Sequence, residues 1–171
     1  FPYGGMENPT LTFLTPTLIA GDRSLVAVVA HELAHSWTGN LVTNATWEDF
    51  WLNEGWTVYA ERRIVERLYG MEMANLQAAN GLTSLTKAFE TFGGADSPYT
   101  KLKTDMKGID PDEVFSSVPY EKGFLFLMAV ERAVGRDVFD QFIQSYIHDF
   151  GFRSLTTEEF VAYLNGKLPQ A

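Results

Sequence analysis

Ser24-Leu25-Val26-Ala27-Val28-Val29-Ala30-His31-Glu32-Leu33-Ala34-His35-Ser36-Trp37-Thr38, followed by Gly39-Asn40, decides how this chain is read. Its density in Ala, Val and Leu predicts a mostly buried helix from about Leu25 to Thr38, with Ser24 as its N-cap and Gly39-Asn40 as its stop. Residues four apart lie one turn from each other on one helical face. His31 and His35 can therefore reach a single ion, while Glu32 projects beside them toward an open coordination position. That is the geometry of a metal pair with a base. The chain has only three histidines, which makes two core imidazoles at this spacing the weaker reading.

Zinc that keeps one position for water needs a third protein ligand. Glu54 lies 19 positions after His35 (54 − 35), in Trp51-Leu52-Asn53-Glu54-Gly55, a gap that lets a second helix fold back alongside the first. An acid in the first turn of a helix also satisfies the macrodipole, but beside the His pair the ligand role is preferred. Glu61, two turns further along the same face, is placed either to accept a hydrogen bond from a ligand imidazole or to stand as a solvated helix acid. His148, near the end of a distant helix, is read as structural.

Composition bounds the rest. A chain of 171 residues, 46% hydrophobic and 20% charged, is sized for one soluble globular domain, 1–171. Its net charge of −9 repels phosphate backbones and anionic lipid, which argues against nucleic acid or a membrane surface as partner. The same charge favours cationic ligands such as a protonated peptide amino end. There is no cysteine, which excludes disulfide scaffolds, thiol nucleophiles and Cys-type zinc sites. No apolar run approaches the roughly 20 residues that span a bilayer. The compartment stays open, the cytoplasm being favoured. Phe1 opens the chain inside a strand-and-turn pattern, so a fragment or processed product is expected.

Around the decisive stretch the pattern predicts a mainly α fold with a remnant β edge strand at the N-terminus. Thr10 to Thr15 alternates apolar and hydroxylated residues between Pro9 and Pro16, a short edge strand. Helices are expected over about Asn53–Leu68, Glu72–Phe92 (weakened at Gly81), Tyr120–Val134, Asp137–Asp149 and Thr156–Leu164. The last opens on capping-box spacing in Thr156-Thr157-Glu158-Glu159. Residues 93–108 read as a long surface connection, and Asp110-Pro111-Asp112-Glu113 as a helix start.

The order Gly4-Gly5-Met6-Glu7-Asn8, then HELAH at 31–35, then Asn53-Glu54-Gly55 resembles the gluzincin zinc aminopeptidases of peptidase family M1, over nearly the whole chain. FPYGGMENP, HSWTGNLVTN, FWLNEG and SSVPYEKG are most similar to the branch of leukotriene A-4 hydrolase and aminopeptidase B. The resemblance implies the core of a thermolysin-like metallopeptidase catalytic domain, whose companion domains lie in the rest of the parent chain. It implies one zinc ion on His31, His35 and Glu54, with Glu32 as general base. Glu7 would bind the free N-terminus of a peptide substrate, along which Gly4 and Gly5 would lie as an edge strand, and Tyr120 would stabilise the oxyanion. Tyr3 matches a pocket-lining position of the leukotriene branch, and Asp112 an acid that in that branch serves epoxide hydrolysis and can also shape peptide specificity. Taken without the resemblance, Glu7 reads first as a turn acid, Tyr120 as a packed aromatic and Asp112 as a helix-terminal acid.

Phe115 stands where leukotriene A-4 hydrolase has a tyrosine beside its lipid pocket, which argues against a lipid epoxide as main substrate. The expected activity is therefore aminopeptidase hydrolysis. The alternatives are a thermolysin-like endopeptidase, which has no need of Glu7, an epoxide hydrolase, and a noncatalytic zinc- and peptide-binding fragment.

Overall fold

The computed structural model describes residues 3–168. β1 (Gly5–Met6) pairs antiparallel with β2 (Phe13–Leu14), Gly5 opposite Leu14. The expected strand is thus shortened to its last apolar pair, because Thr10 turns the chain at φ 69°. Then come α1 (Val26–Ala34), β3 (Val42–Asn44), α2 (Trp51–Tyr69) and α3 (Met71–Thr91). A long connection with two 3-10 turns leads to a single π-helical turn at Val118–Lys122. It runs directly into α4 (Gly123–Val134), followed by α5 (Arg136–Phe150), β4 (Arg153–Leu155) and α6 (Thr157–Lys167). Among the described residues no helix is long and apolar enough to cross a membrane.

Several boundaries differ from expectation for local reasons. Ser24 does not cap α1; its own N–H is taken by Asp22 Oδ1 at 2.8 Å, and the helix starts two residues later. The helix also stops at Ala34 rather than Thr38. Trp37 N–H bonds Ala34 C=O at 3.0 Å, tightening the turn before Gly39 reverses the chain at φ 127°. Nor is α1 mostly buried, since Leu25, Val29 and Leu33 are 41%, 43% and 55% exposed. Pro111–Val114 forms only a 3-10 turn, capped by Asp110, whose Oδ1 accepts from Asp112 N–H. The capping box of α6 forms as expected, and the helix extends to Lys167.

The core lies on the far side of α2 from α1. In α5, Phe139, Phe142, Tyr146 and Phe150 recur at helical spacing and are all buried. Trp56 of α2 stacks on them, 5.8 Å from Phe139 at 9° and 5.2 Å from Tyr146 at 16°. Phe160 of α6 meets Trp56 edge-on at 6.0 Å. Each such side chain contributes about 1.5–3 kcal/mol by burial, so this aromatic block anchors α2. A parallel pair, β3 with β4 (Val42 opposite Arg153), ties the segment after α1 to the one before α6. The sequence pattern predicts no such pair, because strands of three residues are too short to show a two-residue period.

Candidate active site

α1 and α2 cross so that partners step along both helices. Thr38 Oγ1, just past the end of α1, and Thr57 Oγ1 are 2.8 Å apart, while on α1 itself His31 Nδ1 meets Glu61 Oε2, later on α2, at 3.0 Å. The helices therefore run antiparallel and hold one face of each against the other. Between them, His31 Nε2 lies 3.3 Å and His35 Nε2 3.5 Å from Glu54 Oε2, and the two Nε2 atoms are 3.1 Å apart.

Hydrogen bonds on the outer ring nitrogens decide which atoms face inward. His35 Nδ1 donates to the Thr38 carbonyl at 2.8 Å, with Thr57 Oγ1 at 3.1 Å, and His31 Nδ1 donates to Glu61. Both Nε2 lone pairs then point at each other and at a carboxylate oxygen, an arrangement that calls for a cation. Glu54 Oε2 is buried and has no hydrogen-bond partner, a second sign of the same demand. A tetrahedral ion with bonds of about 2.0–2.1 Å has ligand–ligand edges of about 3.3–3.4 Å, against 3.1, 3.3 and 3.5 Å here. The donor set of two imidazoles and a carboxylate could hold a metal ion, and its chemistry fits zinc.

Electrostatics agree with a cation site. Burial is the largest influence on His31 and opposes its charge, yet the Glu54 and Glu61 carboxylates push its pKa up to about 10. Burial likewise opposes charge on His35, and Glu54 reverses the sign so that its value is raised. For Glu54, burial works against the carboxylate and the two imidazoles more than offset it, lowering its pKa. A proton and a metal ion compete for the same lone pairs.

Glu32 is 6% exposed, with Oε2 buried and unpartnered. Burial raises its pKa first, the two imidazoles lower it, and Glu7 and Glu54 raise it further; the net shift is upward. Its carboxyl packs directly on β1, where a Cβ at Gly5 would come within 2.1 Å of Glu32 Oε1. Any side chain there would have to displace the Glu32 carboxylate. Glu7 Oε1 reaches to 3.6 Å from His35 Nδ1, and Asn40 Nδ2 donates to the Glu7 carbonyl at 2.8 Å. Glu7, Glu32 and His35 also cluster, but the His35 nitrogen facing Glu7 already donates to Thr38. That group is left with carboxylates and no available imidazole lone pair.

Tyr120 sits in the π-helical turn, its ring stacked at 6.2 Å and 20° on His31 and held edge-on by Phe50 and Phe115. Burial first, then the charges of Glu54 and Glu7, keep the phenol protonated far above its ordinary range. It is a donor facing the acidic cluster. The structure thus brings His31, His35, Glu54, Glu32, Glu7, Gly5 and Tyr120 together. Gly4, whose carbonyl accepts from Thr15 N–H at 3.0 Å, continues the same strand edge. Tyr3 is 66% exposed, and Asp112 is exposed on its 3-10 turn. His148 is exposed and bonded to Asp149.

Sequence reading missed Thr38, Thr57 and Asn40, because a backbone carbonyl and hydroxyls that orient a ring leave no spacing signature. It also missed the packing of Gly55 on Gly123, where a Cβ on either would lie within 2.8 Å of the other's Cα.

The chain is 57% identical to leukotriene A-4 hydrolase of Xenopus laevis over 165 residues, 96% of this chain and 27% of that protein. It is 56% identical to leucine aminopeptidase 2 of Sclerotinia sclerotiorum over 164 residues, again 96% and 27%. Its fold superposes on yeast LTA4 hydrolase in complex with bestatin at a TM-score of 0.94, with 46% identity over 99% of this chain and 27% of that one. The chain thus spans about a quarter of the length of these relatives. The model of the Peptidase family M1 domain matches residues 1–170, and the chain belongs to that family.

Proposed function

We propose that the parent of this chain is a zinc aminopeptidase that hydrolyses the N-terminal peptide bond of peptides, and that residues 1–171 form one domain, the core of its catalytic domain. The observation that supports this best is the buried, unpartnered Glu54 Oε2 set against two inward-facing imidazole nitrogens. His31, His35 and Glu54 hold the ion. When bound, zinc supplies Lewis acidity, polarising the scissile carbonyl and bringing the acidity of water toward neutral pH.

The chain's own groups do the rest. Glu32, kept dry against Gly5 with its pKa raised, accepts a proton from the attacking water and returns it to the leaving amine. The Tyr120 phenol donates a hydrogen bond to the carbonyl oxygen as it gains charge. Glu7 faces the same space with a carboxylate suited to a protonated α-amine, which would fix the register of cleavage at one residue. Gly4 and Gly5 expose strand edge for an extended substrate, since among the described residues β1 pairs only with β2. We assign Tyr3 and Asp112 to the outer substrate pocket, completed by the parent's remaining domains. The relatives called leucine aminopeptidase 2 support the reaction class.

The test uses the full-length protein and aminoacyl chromogenic amides. Glu32→Gln should keep its zinc and lose about 100-fold to 10,000-fold in kcat, and acetylating the substrate amine should abolish turnover of the parent enzyme. Full activity in zinc-loaded Glu32→Gln, or equal turnover of the blocked substrate, would refute the assignment.

A further inference from the structure

Behind Tyr120, three features that are each unfavourable in isolation meet at one point. Gly81 lies in the interior of the 21-residue α3, where glycine is among the poorest helix formers, yet the helix continues through it unbroken. The turn carrying Tyr120 is π-helical, a rare geometry that tends to mark functional positions. Arg62 of α2 is buried, 7% exposed, with Nε and Nη1 lacking hydrogen-bond partners. Its Nη2 bonds both carboxylate oxygens of Glu121, at 2.8 and 2.6 Å, and its guanidinium lies 4.0 Å over the Phe124 ring.

Gly81 explains the meeting. A Cβ there would sit 2.1 Å from Glu121 Oε2 and 2.5 Å from Arg62 Nη2, so the absent side chain is the seat of the ion pair. A buried, partly unsatisfied ion pair is weak evidence for stabilisation, because desolvation offsets the attraction. What the pair does provide is fixed geometry. Arg62 follows Glu61, the residue that bonds His31, and Glu121 follows Tyr120. The pair therefore ties the zinc-ligand helix to the turn bearing the phenol. On the turn's other side Lys122 Nζ donates to the Thr100 carbonyl at 2.7 Å.

We propose that Arg62 and Glu121, seated on Gly81, are positioning residues that fix the Tyr120 phenol relative to the zinc ligands, so that their disruption lowers kcat through Tyr120 alone. This rests on the reading of Tyr120 as the oxyanion donor. A displacement of about 1 Å in such a group is enough to cost roughly 100-fold in rate.

The experiment measures kcat, KM, bound zinc and Tm for the full-length enzyme in a double-mutant design. Glu121→Gln and, as a variant that keeps both charges, Gly81→Ala are each made in the parent and in a Tyr120→Phe background. In the parent, each variant should lower kcat by about 10-fold to 100-fold, with KM changed less than about threefold and zinc retained. In the Tyr120→Phe background the same changes should cost less than about threefold, because the group through which they act is gone. Equal losses in both backgrounds, or full kcat in both variants, would overturn the inference while leaving the Tyr120 assignment intact. Full activity of Tyr120→Phe itself would refute the assignment and this inference with it.

Discussion

Gly55 of α2 and Gly123 of α4 touch backbone to backbone: a Cβ on Gly123 would lie 2.7 Å from Gly55 Cα, and one on Gly55 would lie 2.8 Å from Gly123 Cα. The contact joins the residue after Glu54, the proposed zinc ligand, to the residue that ends the turn of Tyr120. Neither neighbour is a flexible side-chain tip, so any side chain must separate the helices. Gly123→Ala should destabilise the chain by about 1–3 kcal/mol. Gly55→Ala should do the same, and the double variant should cost less than the sum, since one gap is being filled twice. Urea denaturation midpoints would check this; additive losses would contradict it.

Glu61 is placed to orient rather than to ligate. It accepts from His31 Nδ1 at 3.0 Å, which turns Nε2 inward. Glu61→Gln should weaken zinc affinity by about 10-fold to 100-fold, read by competition with a chromophoric chelator, with little change in the unfolding midpoint of the chelated protein. An unchanged affinity would reduce Glu61 to a helix acid.

The pH dependence follows from His31. Its pKa is raised from 6.5 to about 10, burial opposing and Glu54 and Glu61 driving the shift. A raised value means that the stability contributed by protonated His31 is complete below pH 6.5 and is lost as pH rises through about 10. Zinc needs the unprotonated ring. Apparent zinc affinity should therefore tighten by about tenfold per pH unit for each imidazole proton displaced, with at least one proton released per ion bound. Chelator competition at three pH values measures the slope, and a flat profile would contradict the competition.

Trp56 anchors the ligand helix to the aromatic face of α5, stacked between Phe139 and Tyr146. Trp56→Ala should cost about 3–5 kcal/mol. Because its indole Nε1 is buried without a hydrogen-bond partner, Trp56→Phe should cost much less. Thermal unfolding of both variants would distinguish a packing role from a polar one.

The parts of this structure legible in the sequence are those whose signal is local. The His31/His35 spacing lies within one helix, the Thr156–Glu159 capping box within one turn, and the α5 aromatics follow a single period. Glu54 is singled out by asking which acid could give the His pair a third donor, and its Oε2 lies 3.3 and 3.5 Å from the two imidazoles. Gly81 was misleading: read as a weak point of its helix, it is a seat for two side chains from elsewhere in the chain. The β3–β4 pair, the early end of α1 and the π-helical turn depend on partners distant in sequence or on single backbone bonds. The exposed Leu25, Val29 and Leu33 likewise escape a reading that equates apolar with buried.

A zinc-edge anomalous difference map from crystals of the full-length protein tests the central claim most directly. It should show one peak about 2.0–2.2 Å from His31 Nε2, His35 Nε2 and Glu54 Oε2 together, with Glu32 beside it and making no bond to it. A peak elsewhere, or Glu54 turned away from the two imidazoles, would contradict the account.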